Sequence, residues 1–300
     1  MTSGLTALSR CLAGLMNNNG SARTGRPFSL RSRRLSPLSP RFGAAIAVLG
    51  IALVGCGQGS DSREDGSGSA AQANNDAQVG GQDTRVLWMG DSIAGTEGPA
   101  LGEALKASGV EFKDVSSDGG GNVVGGDKMI EPIARDTWER VPKDIKSFRP
   151  TVVAYQITTY DWGSKDQQRT AYEKLARTAK DAGAKLVLVA APPFEIGDFY
   201  KDHKDAIRTA PEAAKEVAQS SGGAVVFLDS AQLWGTDAKA KKAQRSSDLV
   251  HNCQQGAAAF AKWFTEQLGK QSGFTPASVD TWAEGSWAGD KRYADLKCGI

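Results

Sequence analysis

The chain has 300 residues, 40% hydrophobic and 23% charged, with a formal net charge of +2. That length fits one domain of moderate size with residues left over for tails. The first 55 residues hold seven arginines, no lysine and no acidic residue, so without them the chain falls to about −5. With an acidic remainder a nucleic-acid reading loses its support, and no nucleic-acid partner is expected.

The basic leader runs into an apolar segment, residues 43–55, which closes on Leu53-Val54-Gly55-Cys56. A basic region, a short apolar region and small residues before a cut site form a secretory signal. The apolar run is too short to span a bilayer. Leu-Val-Gly-Cys resembles the bacterial lipobox, in which the cysteine is lipidated and becomes the mature N-terminus. The resemblance implies a signal peptide over 1–55, a lipid anchor on Cys56 and a location on the extracytoplasmic face of the cell membrane. Ser32-Arg33-Arg34 resembles a twin-arginine export signal, although Ser36 stands where a bulky apolar residue is usual. Residues 57–83 are Gly, Ser, Asp, Asn and Gln with almost nothing apolar. They read as a disordered linker, so 56–83 serves as a tether.

From residue 84 strand and helix signals alternate. Residues 85–89 read as a first strand, and 99–108 as a helix with Leu101 and Leu105 four apart. Residues 111–115 form a short second strand, followed by a loop through Gly119 and Gly120. Residues 137–148 read as a helix broken near Pro142. A third strand spans 151–157. A long helix over 166–182 ends at Gly183 as a capping glycine. Residues 185–191 form a fourth strand, stopped by Pro192-Pro193. A helix over 211–220 leads to a fifth strand over 224–228. The last helix, 254–268, carries Phe260, Phe264 and Leu268 on one face. Residues 271–300 read as an extended tail packed on the domain. Continuously apolar strands separated by helices predict a five-stranded parallel sheet covered on both faces. The fold class is α/β, a flavodoxin-like three-layer α/β/α sandwich with its site at the carboxyl ends of the strands.

Chemistry concentrates at two points. Ser92, in Gly90-Asp91-Ser92, follows the first strand. His251, in Asp248-Leu249-Val250-His251, precedes the last helix. A serine hydroxyl needs a base to take its proton and backbone amides to hold the oxyanion. A strand-to-helix turn supplies exposure and the amides of a helix N-terminus. Asp248, three residues before His251, can accept the imidazole N–H and fix its tautomer. The chain's other histidine, His203, lies in a charged stretch and is expected at the surface.

These residues resemble the SGNH hydrolases, also called GDSL esterases. Gly-Asp-Ser near the start and Asp-x-x-His near the end match the family's first and last blocks, and residues 84–270 match its strand pattern. The resemblance implies Ser92 as nucleophile, His251 as base, Asp248 as orienting acid and the Ser92 backbone amide as an oxyanion donor. For a second donor the family uses a glycine after the second strand, here Gly119 or Gly120. The third block, usually Gly-x-Asn-Asp, reads Thr158-Thr159-Tyr160-Asp161. Tyr160 replaces the donor asparagine, and Gln156 at the same strand end is another candidate donor. Divergent third blocks occur in SGNH domains that act with membrane acyltransferases on envelope glycans. The expected activity is acyl-ester cleavage or transfer on an acylated envelope glycan or glycolipid, with no cofactor. The alternative is a non-catalytic protein that keeps the fold and binds glycan or a partner protein.

With Cys11 in the signal and Cys56 lipidated, Cys253 and Cys298 remain. An oxidising compartment predicts that they pair, clipping the tail beside His251. The closed loop of about 45 residues is worth on the order of 3–4 kcal/mol in the chain-entropy model. Lys239, Lys241, Lys242 and Arg245 form a basic run, either a solvated loop or a contact for an anionic glycan or headgroup. Trp162 and Trp234 follow strand ends, positioned either to stack on a sugar or to pack in the core. No cluster has metal-ligand spacing.

Overall fold

The computed structural model describes residues 83–296 and residue 298. The leader, Cys56 and all of the tether except Asp83 lie outside the described residues. Five strands are separated by helices: β1 (Arg85–Met89), α1 (Ser92–Ala107), β2 (Glu111–Asp114), α2 (Glu131–Phe148), β3 (Val152–Gln156), α3 (Lys165–Asp181), β4 (Lys185–Val189), α4 (Lys204–Ser220) and β5 (Val225–Leu228). After β5 come the single turn α5 (Ala231–Trp234), the long α6 (Gln254–Ser272) and the short α7 (Lys291–Asp295). Every ladder is parallel and the strand order is β2-β1-β3-β4-β5. This is the three-layer sandwich expected from the alternating pattern. The order reverses between β1 and β3, and doubly wound sheets open a crevice above the carboxyl ends at such a point.

The pleat sends alternate strand residues to opposite faces. Val86, Trp88, Ala154, Val187 and Val189 pack under α1 and α6 with Leu101, Phe260 and Phe264. Leu87, Met89, Val153, Tyr155 and Leu188 pack under α2, α3 and α4 with Val141, Tyr172, Leu175 and Val217. Trp88 locks α6 to β1, its ring lying 5.6 Å from Phe260 and 5.4 Å from Phe264. Its indole N–H donates to the Ala94 carbonyl at 3.0 Å, which ties the start of α1 to the same contact.

Three helices begin earlier than their local sequence suggests. α1 starts at Ser92 and runs through Pro99, α2 starts at Glu131 and runs unbroken through Pro142, and α4 starts at Lys204 and runs through Pro211. An interior proline costs about 3 kcal/mol. Burial of Ile93, Leu101 and Leu105 in α1, Val141 and Ile145 in α2, and Ala213, Ala214 and Val217 in α4 offsets it. The segment after α6 is more ordered than an extended tail. It forms short 3₁₀ turns and α7 and buries Trp282, Trp287 and Tyr293. The Tyr293 hydroxyl donates to the Thr96 carbonyl in α1 at 2.8 Å. Cys253 and Cys298 form a disulfide with 5.6 Å between their Cα atoms, tying the tail to the entry of α6.

Candidate active site

The β1–α1 turn sets the nucleophile position. Gly90 has φ +155°, and a β-carbon there would collide with Ala94, so only glycine allows so tight a passage from strand into helix. Asp91 caps α1, one carboxylate oxygen accepting from the Ile93 N–H at 2.9 Å. Its other oxygen accepts from the Thr159 N–H at 2.8 Å and the Thr159 hydroxyl at 2.9 Å. Burial pushes the Asp91 carboxyl above its ordinary value, against those hydrogen bonds and the attraction of His251. Asp91 thus joins the β1 and β3 ends across the crevice, and Ser92 stands half-buried in the first turn of α1. First-turn amides have no intrahelical acceptor, which leaves the Ser92 N–H available to an oxyanion.

His251 arrives on a closed loop. Arg245 and Asn252 form an antiparallel bridge, and the Ser246 N–H donates to the His251 carbonyl at 2.6 Å. Inside this loop one Asp248 oxygen accepts from the Ser246 hydroxyl at 2.6 Å, the Val250 N–H at 2.8 Å and the His251 N–H at 2.9 Å. The other lies 2.7 Å from His251 Nδ1, and His251 Nε2 lies 2.8 Å from Ser92 Oγ. A carboxylate only accepts, so Nδ1 carries the proton and Nε2 is left to accept from the serine. Burial alone would raise the Asp248 carboxyl. The hydrogen bond and charge of His251, with the Ser246 hydroxyl, hold it far below the usual carboxylate range. Ser92, His251 and Asp248 are therefore brought together in hydrogen-bond contact.

The family-model match decides the family. Residues 56–246 match the SGNH domain (fused to AT3 domains), more than half of the chain. The chain belongs to the SGNH domain family. The match stops just short of Asp248 and His251, so their position in this SGNH domain is given by the structure alone. No curated protein matches it. Similar solved structures include a GDSL-like lipase from Bacteroides thetaiotaomicron, at 18% identity and TM-score 0.47, covering 63% of this chain and 89% of that one. A carbohydrate acetylesterase family member from Sinorhizobium meliloti has 13% identity and TM-score 0.48, covering 63% and 99%. The inhibitor-bound aryl esterase of M. smegmatis has 14% identity and TM-score 0.47, covering 62% and 99%.

The residues expected to donate to an oxyanion take up different packing positions in the structure. Gly121, at φ +81°, packs so tightly on the Gly90 carbonyl that a β-carbon would overlap it. Gly120 instead packs on Ile133, and a β-carbon at Gly119 would meet nothing. The glycine that borders the nucleophile turn is therefore Gly121. Gln156 does not face an oxyanion: its amide donates to Glu97 Oε2 at 2.6 Å in the interior. Tyr160 joins an aromatic cluster, with ring centroids 5.7 Å from Trp162, 6.1 Å from Phe199 and 6.4 Å from Tyr200. Burial raises the Tyr200 hydroxyl; hydrogen bonds to Thr159 and Tyr160 oppose this, while the charges of Asp91 and Asp248 add to it. Tyr200 thus borders the crevice, which nothing in its sequence context signalled. Asp161 lies below, accepting from the Tyr155 and Tyr172 hydroxyls at 2.8 Å and 3.0 Å. Burial pushes its carboxyl up to about 6 against those bonds.

Other candidates resolve into packing. Trp162 and Trp234 are buried. His203 is half-buried, its ring stacked 3.6 Å from Trp162 rather than solvated. Of the basic run, Lys239 pairs with Glu195 at 2.8 Å. Arg245 turns inward and stacks over Trp234, 4.7 Å from the ring centre. Beneath Ser92 lies a group missed at the sequence level. Glu97 is fully buried, held by Gln156 and, at 3.3 Å, by the Asn252 amide. Burial pushes the Glu97 carboxyl up to about 8, opposed by the attraction of Arg245 and these hydrogen bonds. The signal was present: Glu97 is the one charge on the Ile93–Leu101–Leu105 stripe of α1. Among the described residues no group of three His, Cys, Asp or Glu is placed to hold a metal, and no helix is long and apolar enough to cross a membrane.

Proposed function

We propose that this SGNH domain is a serine esterase or acyl-transferring enzyme. The observation that carries the reading is the continuous chain Ser92 Oγ, His251 Nε2, His251 Nδ1, Asp248 Oδ2, with links of 2.8 Å and 2.7 Å, above the crevice at the β1–β3 reversal. Ser92 Oγ attacks the ester carbonyl carbon while its proton passes to His251 Nε2. The Ser92 and Gly121 N–H groups hold the oxyanion. Collapse expels the alcohol, which takes the proton from His251, and leaves an acyl group on Ser92. Water or a sugar hydroxyl then gives a proton to His251 and attacks the acyl carbon; as the acyl product leaves, His251 returns that proton to Ser92 Oγ and the free serine is restored. Asp248 stays ionised and stabilises the imidazolium.

The substrate in this proposal is an acylated glycan or glycolipid of the cell envelope. The protein is held on the extracytoplasmic face by a lipid on Cys56. The disulfide supports an oxidising compartment, and Leu53-Val54-Gly55-Cys56 supports the anchor. The description of the matched family as fused to AT3 domains supports a partner, which we take to be a membrane acyltransferase. A second reading, a non-catalytic glycan-binding protein, is favoured by one observation. The asparagine position holds Tyr160, whose ring is packed among Trp162, Phe199 and Tyr200. Turnover of p-nitrophenyl acetate by the full-length protein, lost in Ser92→Ala, supports the enzyme. Glycan affinity that survives Ser92→Ala, with no ester turnover by the wild type, selects the second reading.

A further inference from the structure

The loop that carries Asp248 and His251 closes on the bridge between Arg245 and Asn252. One end of that bridge bonds Glu97 directly, and the other bonds the same asparagine. The Asn252 amide donates to Glu97 Oε1 at 3.3 Å. The side-chain oxygen Oδ1 of Asn252 accepts from Arg245 Nη1 at 3.0 Å, and the Arg245 charge attracts Glu97. Arg245 also donates to the carbonyls of Ala243 at 2.8 Å and Val250 at 3.1 Å. Glu97 itself projects from α1, the helix that begins with Ser92. Its second oxygen is held by Gln156 at the end of β3. One carboxyl therefore contacts the nucleophile helix, the crevice strand and the base loop.

Stability alone gives no reason for a carboxyl here. A buried polar network is often matched or bettered by apolar residues of the same volume. Among the described residues, Gln156 Oε1 and Arg245 Nη2 also lack a hydrogen-bond partner, and each buried polar atom left so is costly. The network instead fixes one geometry: it sets the loop base relative to α1, and hence His251 relative to Ser92.

We propose that Glu97 is a positioning residue, which anchors the 245–252 loop through Asn252, itself bonded to Arg245, so that His251 Nε2 reaches Ser92 Oγ. This rests on the reading of Ser92 as nucleophile. A misplacement of about 1 Å at such a contact can cost on the order of 100-fold in rate.

The test measures the second-order rate of labelling by a fluorophosphonate on full-length protein, with p-nitrophenyl acetate kinetics and circular dichroism on each variant. Glu97→Ala and Asn252→Ala are each expected to slow labelling by about tenfold or more and to lower kcat with little change in KM. The two together are expected to slow it no further than either alone, because they cut the same link. Glu97→Gln, which keeps an acceptor for Asn252, is expected to retain a labelling rate within about threefold of wild type. In a His251→Ala background, Glu97→Ala is expected to change the residual rate by less than about twofold, because no base remains to be placed. If Glu97→Ala does not fold, Asn252→Ala carries the same comparisons. A folded Asn252→Ala variant labelled at the wild-type rate overturns the proposal, as does an undiminished effect in the His251→Ala background. Labelling of the wild type that persists in Ser92→Ala is a different outcome, and it overturns the nucleophile reading instead.

Discussion

Glu97 should govern how the stability of the fold depends on pH. Burial raises its carboxyl from an ordinary 4.5 to about 8, with Arg245, Gln156 and Asn252 opposing and Asp91 adding to the rise. A raised folded-state value means that the fold favours the protonated form. The contribution is complete below pH 4.5 and is lost as pH rises through about 8. At about 1.4 kcal/mol per pH unit, the full range is worth about 5 kcal/mol. Asp161, raised from 3.8 to about 6, adds a loss in the same direction that ends near pH 6. Above pH 6 the Glu97 contribution separates, leaving about 3 kcal/mol between pH 6 and pH 8.5. Urea unfolding followed by tryptophan fluorescence, at pH 6 and pH 8.5, measures this difference on wild type and Glu97→Gln. Glutamine keeps the shape and does not titrate. The charges of Arg245 and Asp91 and the Tyr293 hydroxyl also face Glu97, and they remain in both proteins, so the difference between the two slopes isolates Glu97. The wild type should lose about 3 kcal/mol more than the variant. Equal slopes would refute the reasoning and show that the carboxyl is ionised throughout.

Three other perturbations follow from the geometry. Asp248→Asn allows the wrong imidazole tautomer and should lower kcat/KM on p-nitrophenyl acetate by on the order of 10³-fold or more, with the melting temperature nearly unchanged; a loss under tenfold would argue against the orienting role. Gly121→Ala places a methyl group on the Gly90 carbonyl at φ +81°, and should destabilise by more than about 2 kcal/mol while slowing phosphonate labelling. Gly119→Ala, at φ +72° in open space, should cost only about 1 kcal/mol and leave labelling intact; labelling slowed by Gly119→Ala and not by Gly121→Ala would return the donor assignment to Gly119. Cys298→Ser opens the clip across 45 residues and should cost on the order of 3–4 kcal/mol, read as a lower urea midpoint with a somewhat steeper slope, because the uncrosslinked unfolded chain exposes more surface.

The strand pattern and the Ser92, Asp248 and His251 motifs were legible because each is a local signal. Strand alternation, a turn glycine and a short Asp-to-His spacing need no tertiary information. Pro99, Pro142 and Pro211 misled because a proline's local preference is overridden by the buried face of the helix around it, and that face depends on what packs against it. The glycine packed against the Ser92 turn is Gly121, one or two positions beyond the pair that the resemblance points to. Gly119, Gly120 and Gly121 are alike in sequence, and only the approach to the Gly90 carbonyl separates them. Gln156 reads as a candidate oxyanion donor because its partner, Glu97, lies 59 residues away, and Arg245 reads as one member of a basic run because Asn252 and Trp234, which it meets in the fold, leave no mark on that pattern. A long-range buried network has no period in the sequence. Glu97 was readable only as a charge out of place on an apolar stripe.

The most direct test of the central claim is where a fluorophosphonate attaches. Full-length protein is labelled, digested and mapped by peptide mass spectrometry. A covalent nucleophile at the crevice predicts one adduct on Ser92, absent in Ser92→Ala and formed far more slowly in His251→Ala. An adduct on another residue, or none on wild type that is folded by circular dichroism, would contradict it.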